Sequence, residues 1–189
     1  PVHDVKPIVV VGAGAAGMAA AISAARHGGD VFLFEKTAHV GGTVVNSLIH
    51  TIGGLYDSSG EFLNEGLPVE LAHKLFLASS QTRMRKIGRA HVLKVSPDVY
   101  KGVVEAWMRE ESKIRIFCES KLIGVDTKNG LVRWITVSTP DRAVNLQPKG
   151  LIDTTGSAEI IRMINPEVVI DNPCRAAGGL IFQMRGVEP

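Results

Sequence analysis

Four β-branched residues in a row, Ile8-Val9-Val10-Val11, begin the apolar pattern of the chain. A continuous apolar run this short predicts a parallel strand buried on both faces. Ala19 to Ala25 follows as a run of small residues with helical character, closed by Gly28-Gly29. Val31 to Phe34 predicts a second strand, with Glu35 at its end. Leu67 to Ala78 predicts a helix with Pro68 in its first turn. Ser96-Pro97-Asp98 predicts the start of another, Ser as N-cap and Pro at the first helical position. In that helix Val99, Val103, Val104 and Trp107 recur at helical spacing, with Tyr100 and Met108 beside them, which marks a core stripe. Ile114, Ile116 and Cys118 alternate as a strand. Lys121 to Asp126, Leu131 to Ser138 and Ala143 to Gln147 are three short strand-like runs, the first two joined by an Asn129-Gly130 hairpin turn. Helices and strands in this order predict a three-layer α/β fold with a mainly parallel sheet and an added antiparallel meander.

The turn between the first strand and helix reads Gly12-Ala13-Gly14-Ala15-Ala16-Gly17. In such a turn Gly12 allows the tight bend, Gly14 lets a pyrophosphate approach the backbone, and Gly17 lets helix and strand pack closely. Ala15 and Ala16 open the helix, whose free N–H groups and positive end suit an anion. Glu35 lies 21 residues beyond Gly14, where a carboxylate accepts hydrogen bonds from an adenosine ribose. The unit therefore predicts a dinucleotide site. Glu35 argues against NADP because it repels a 2′-phosphate, an inference tempered by Lys36 beside it.

Composition narrows the rest. The chain has 189 residues, 45% of them hydrophobic, enough for a real core and too apolar for a disordered chain. A net charge of +2 gives no sign of a nucleic-acid partner or an anionic membrane. Ile8 to Ala25 is free of charges, yet its glycine cluster reads as strand, turn and helix, so no membrane span is expected. Two cysteines, Cys118 and Cys174, without a CxxC pair indicate neither a disulfide scaffold nor a redox-active disulfide, and point to reduced thiols in a cytoplasmic protein. No metal-ligand constellation is visible in the sequence.

Gly41-Gly42-Thr43, shortly after Lys36, and Thr154-Thr155-Gly156, at the end of the apolar run from Gly150, carry a resemblance. With the glycine turn and Glu35 they resemble the FAD-dependent oxidoreductases of the glutathione-reductase-like superfamily, in the branch with a Gly-Gly-Thr after the second strand. The resemblance implies a Rossmann-like FAD-binding domain in which Gly41, Gly42 and Thr43 line the pyrophosphate and flavin side. It implies that Thr154, Thr155 and Gly156 cover the nucleotide and that a backbone group of Leu122 meets the adenine. Thr154 stands where Ala is common and Ser157 where this branch often has Asp, which puts side-chain contacts there in doubt, though not the fold. FAD is the implied cofactor.

The resemblance spans nearly the whole chain but only the N-terminal half of the family pattern. It divides the chain into a first FAD-binding segment over 1–44 and a cofactor-covering, substrate-side insertion over 45–95. The FAD-binding domain continues with its meander over 96–165, and a substrate domain begins over 166–189, where Gly179 to Met184 suggests a strand. The expected protein is one subunit of a split flavoenzyme, a hetero-oligomer whose second polypeptide supplies the C-terminal half, or else an N-terminal fragment of such an enzyme. The reaction expected is hydride transfer from a small organic substrate to the flavin N5, the substrate itself staying open among amines, amino acids, hydroxy acids and sugar alcohols. Two alternatives remain: an NAD-binding enzyme on the same fold, resembling the thiazole-forming synthases, and a non-catalytic nucleotide-binding subunit of a larger complex.

Catalytic candidates are few. Val44 to Gly54 should run near the flavin ring and offers Asn46, Ser47, His50 and Thr51; His50 is a candidate base, flavin-orienting group or attachment point. Arg175 is a candidate grip for a carboxylate. Arg83, Arg85, Lys86, Arg89 and Lys94 cluster around Gly88 and read as a solvated basic face, with attraction of an anionic substrate or acidic partner as the functional alternative.

Overall fold

The computed structural model describes residues 6–170, 179–182, 184 and 186. In chain order the elements are β1 (Ile8–Val11), α1 (Ala15–Arg26), β2 (Val31–Phe34), α2 (Gly42–Asn46), β3 (Thr51–Ile52), α3 (Leu67–Ala78), β4 (Arg83–Ile87), β5 (Ala90–Lys94), α4 (Pro97–Glu110), β6 (Ile114–Phe117), β7 (Lys121–Lys128), β8 (Leu131–Ser138), β9 (Ala143–Leu146), β10 (Gly150–Asp153) and α5 (Glu159–Ile164).

A parallel sheet of order β10-β1-β2-β6 forms the middle layer. Alternation along its strands sends side chains to two separate cores. Val10, Val31 and Leu33 pack with Met18, Ala21 and Ile22 of α1, Leu75 of α3, and Tyr100, Val104 and Trp107 of α4. Val9, Val11 and Phe34 pack on the other face against Leu122, Ile135 and Val137 of the β7-β8-β9 meander and Ile160 of α5. This is the three-layer α/β arrangement expected from the pattern. The β7-β8 hairpin turns on Asn129 and Gly130, both at positive φ, as the side-chain-free glycine and the αL-tolerant asparagine allow.

The structure refines several expectations. The Ser96 side chain makes no cap bond, although Ser96 is the N-cap of α4; its carbonyl instead accepts from the Tyr100 N–H at 2.9 Å. The fully buried stripe of α4 is Tyr100, Val104, Trp107 and Met108, while Val99 and Val103 stay half-buried at its margin. Of the strand expected over residues 179–184, 179–182 and 184 are irregular and exposed, and residue 183 lies outside the described residues. The basic cluster turns out to be a β-hairpin, β4-β5, which with β3 makes a second, antiparallel sheet.

One ionic cluster ties the helical layer together. Arg26 at the end of α1 donates to both carboxylate oxygens of Glu70 on α3 at 2.8 Å and to Glu111 after α4 at 2.7 Å. The Trp107 indole N–H donates to the same Glu70 at 2.7 Å. Hydrogen bonds from Arg26, against an opposing push from burial, and from Trp107 hold the Glu70 carboxyl below the usual carboxylate range. A depressed folded value means the stabilisation is complete above the unfolded pKa of about 4.3 and is lost as pH falls through the folded value. The thermal midpoint of the wild type should therefore drop more steeply between about pH 5 and 3 than that of Glu70→Gln. Parallel pH profiles for the two proteins would refute this role for Glu70.

Candidate functional site

Parallel pairing of β1 with both neighbours sets the site. Val11 lies opposite Phe34 on one side and Asp153 on the other. Gly12, Glu35 and Thr154, the next residues of each strand, therefore meet at one edge of the sheet, where the connections diverge to either side of β1. Open α/β sheets bind ligands at this switch point.

A cleft of about 730 Å³ lies there. Gly12, Gly14, Ala15, Ala16, Glu35, Lys36, Gly41, Gly42, Thr43, Leu122, Thr154, Thr155 and Gly156 all line it. Gly17, among the positions singled out in the sequence, lies beneath the turn instead: a Cβ there would land on the Gly12 carbonyl oxygen. Gly12 adopts φ +100°, and a Cβ on it would sit 2.5 Å from the Thr154 carbonyl oxygen. Gly42 approaches Gly14 so closely that its Cβ would lie 2.8 Å from the Gly14 Cα.

Gly14 differs from all three. Its φ of −75° and ψ of −173° suit any residue, and a Cβ on it would meet only the Gly42 Cα, at 3.9 Å. Nothing in the protein's own packing calls for a glycine there, yet its bare backbone faces the cleft. No side chain caps the N-terminus of α1, so the first N–H groups of that helix, which have no intrahelical acceptor, open on the same space. A backbone cradle of this kind, left open and positively polarised, fits the pyrophosphate of a dinucleotide.

Glu35 is only 6% exposed. One carboxylate oxygen accepts from the Ala13 N–H at 2.7 Å, and the other from the N–H and hydroxyl of Thr37, both at 2.9 Å. The carboxylate is thus held rigidly at the mouth of β2, and its remaining lone pairs stay available to hydroxyl donors. Asn46 donates to the Thr37 hydroxyl at 3.2 Å, which links the end of α2 to the acid. Thr37 was not apparent from sequence; a hydroxyl two residues beyond a strand-terminal acid was the available signal. Ser47 and Thr51, offered by the Val44 to Gly54 stretch, line the cleft, as do Ser120, Lys121 and Glu159, which are brought in by folds of the chain that no local pattern announces. Lys36 pairs with Glu159 at 3.3 Å.

The departure at Thr154 now has a physical reason. The Thr154 hydroxyl lies 2.8 Å from the carbonyl oxygens of both Val11 and Gly12 and pins β10 to the glycine turn. The Thr155 hydroxyl donates to Asp153 at 2.7 Å. Burial pushes the Asp153 carboxyl up, but hydrogen bonds from Thr155 and the Ile160 N–H outweigh it and keep the group below its ordinary value. Both threonine side chains are therefore spent on the fold.

The catalytic candidates separate. Asn46 lines the cleft, whereas His50 is exposed and is absent from its lining. Arg175 and Cys174 fall outside the described residues. Cys118 is a half-buried free thiol, pushed up by burial and then by Glu35, Glu105 and Glu119, so it is a poor nucleophile. Arg83, Arg85, Lys86 and Arg89 are exposed on the hairpin, away from the cleft lining. Among the described residues no group of His, Cys, Asp and Glu is placed to hold a metal, and no helix is long and apolar enough to cross a membrane.

Comparison with known proteins agrees with this fold. A segment of 41 residues, 22% of the chain, is 61% identical to 8% of a vinyl phenol reductase of Lactiplantibacillus plantarum. The fold is similar to THI4 of Thermovibrio ammonificans, with a TM-score of 0.61 at 14% identity over 88% of this chain and 64% of that one. It is similar also to a geranylgeranyl bacteriochlorophyll reductase-like protein of Thermoplasma acidophilum, with a TM-score of 0.60 at 18% identity over 88% of this chain and 43% of that one. The chain thus spans less than two thirds of each of these proteins. Residues 7–188 match the family model of the FAD dependent oxidoreductases. The chain belongs to that family, and its cofactor is FAD.

Proposed function

We propose that the cleft holds FAD along its length and that the chain is the cofactor-binding part of an oxidoreductase acting on a small organic substrate. The observation that carries this reading is convergence. One cleft gathers, from stretches far apart in sequence, the glycine turn, the strand-terminal acid, the Gly41-Gly42-Thr43 segment and the Thr155-Gly156 turn. Gly12, Gly14 and the first N–H groups of α1 would hold the pyrophosphate; Glu35 would accept from the adenosine ribose; Leu122 and Ser120 would border the adenine. Thr43, Asn46 and Ser47 would border the flavin. When bound, FAD supplies a two-electron acceptor for hydride at its N5. The chain's own part is to hold the cofactor, keep water from its buried edge and leave one face open to substrate. The 45–95 segment, whose β3 contributes Thr51 and Ile52 to the lining, serves as the cover.

Fluorescence titration tests this reading. The wild type should bind FAD stoichiometrically, and Glu35→Gln should bind it about tenfold more weakly, the loss of a charge-assisted hydrogen bond. FAD binding equal in the two proteins would remove Glu35 from the site, and no FAD binding by either would remove the reading itself.

Further polypeptide, either continuous with this chain or in a partner subunit, would complete the cleft. Two observations support it: the chain spans only part of its structural relatives, and apolar side chains cluster unprotected around α5 and beyond. Ile161, Met163, Ile164, Val168 and Ile170 are all more than a third exposed, as apolar residues are where a surface meets another domain or chain. Native mass spectrometry of the protein from its own source would show a longer chain or a second polypeptide together with FAD.

A further inference from the structure

The two ends of the cleft differ in chemistry. Its charged lining residues are Glu35 and Lys36 just after β2, Lys121 at the start of β7 and Glu159 at the start of α5. The opposite end is walled by the half-buried apolar side chains Ile52 and Leu55 beside β3 and Leu67 and Leu71 of α3. Its floor is aromatic. Tyr100 and Trp107, two turns apart on α4, line it although they are only 2% and 3% exposed. Among the described residues this end carries no charged lining group.

The floor is rigid. Trp107 donates to Glu70, which Arg26 grips through two hydrogen bonds, so the indole cannot turn without breaking the link between α1, α3 and α4. Tyr100 stands otherwise: its hydroxyl has no hydrogen-bond partner among the described residues. An acceptor atom on a ligand in the cleft can therefore take a hydrogen bond from this hydroxyl without displacing a partner within the protein. Burial pushes the Tyr100 phenol up to about 12, so it remains a proton donor at any physiological pH.

We propose that this end of the cleft is the substrate site and takes an uncharged, flat, largely apolar molecule whose one acceptor atom, such as a carbonyl oxygen, receives the Tyr100 hydroxyl. This rests on the assignment of the charged end to the FAD nucleotide. It narrows the open substrate classes: amino acids, hydroxy acids and amines carry charges that the apolar end would have to desolvate without a partner. The basic β4-β5 hairpin, exposed and outside the lining, takes no part. Tyr100 is then a binding and orienting residue for the substrate.

The experiment uses the FAD-loaded native protein and four probes of similar size, titrated by calorimetry: acetophenone, toluene, benzoate and benzylammonium. Acetophenone should bind best, with benzoate and benzylammonium at least about tenfold weaker. Tyr100→Phe should lower acetophenone affinity about three- to tenfold while leaving toluene and FAD affinities unchanged. Leu71→Trp, which fills the space, should abolish acetophenone binding with FAD still bound. Tighter binding of either charged probe, or acetophenone binding indifferent to Tyr100→Phe and Leu71→Trp, overturns the proposal. An equal loss of FAD affinity in Tyr100→Phe also overturns it, because the occupant would then be the cofactor's own ring. Failure of the wild type to bind FAD is seen before any probe is added; it defeats the cofactor reading first and the substrate site with it.

Discussion

Gly14→Ala should bind FAD at least about tenfold more weakly than the wild type while unfolding at nearly the same temperature. The two halves of this expectation have separate causes. In the folded chain the new methyl group meets nothing closer than the Gly42 Cα at 3.9 Å, and the backbone angles are ordinary for alanine. Alanine reduces the freedom of the unfolded chain, a gain of about 0.4–1 kcal/mol. As an N-cap it loses a comparable amount relative to glycine. The balance leaves the midpoint within about 4 °C of wild type. The methyl group does, however, occupy the open space above the first turn of α1, where in the proposed site the pyrophosphate oxygens would approach the backbone N–H groups. Holding the phosphates away by the radius of a methyl group stretches several charge-assisted hydrogen bonds at once. Scanning calorimetry without cofactor and fluorescence titration with it measure the two halves separately. Unchanged FAD affinity in a folded Gly14→Ala protein would show that the cradle is not the phosphate site.

The glycine turn and its flanking strands were legible in sequence because their cause is local. A β-branched run, three spaced glycines and a small-residue helix each demand one backbone course, and together they demand the switch point. Glu35 was legible for the same reason, being fixed by its distance from Gly14. Thr37 was not, because its role is to steady that acid through a hydrogen bond, and no periodicity marks a hydroxyl for that. The β4-β5 hairpin was hidden differently. Its strand Arg83–Ile87 is exposed at every position, so it lacks the apolar alternation by which half-buried strands are recognised. His50 shows the limit of proximity in sequence: it adjoins Thr51, which lines the cleft, yet is itself outside the lining. Tyr100 and Trp107 were read as core, and they are buried in the core. That the same residues floor a cavity depends on where α3 and β3 stop, which is a property of the assembled layers and of no single stretch of chain.

Gly17→Ala is expected to behave in the opposite sense from Gly14→Ala, losing roughly 2–3 kcal/mol of stability through overpacking, or about 5–10 °C in the midpoint. Helix propensity alone predicts a gain, since alanine is favoured over glycine by about 1 kcal/mol within a helix. Packing reverses the sign. The added Cβ would fall on the Gly12 carbonyl oxygen and within 2.8 Å of the Thr154 hydroxyl, and neither can retreat cheaply. Gly12 is held by its N–H bond to the Phe34 carbonyl at 2.8 Å, and the Thr154 hydroxyl by its contacts with Val11 and Gly12. Relief therefore requires α1 to lift from the sheet, which opens the core around Met18 and Ile22 and displaces the helix end that faces the cleft. FAD affinity should fall along with stability, whereas in Gly14→Ala it falls alone. Trimming Thr154 to serine cannot rescue Gly17→Ala, because the carbonyl clash remains; removing the whole side chain in Thr154→Ala relieves the lesser contact only. A Gly17→Ala protein as stable as the wild type would mean that the close contact between α1 and the Gly12 turn is not what fixes this helix on the sheet, and the argument that places its open N-terminus at the cleft would lose its footing.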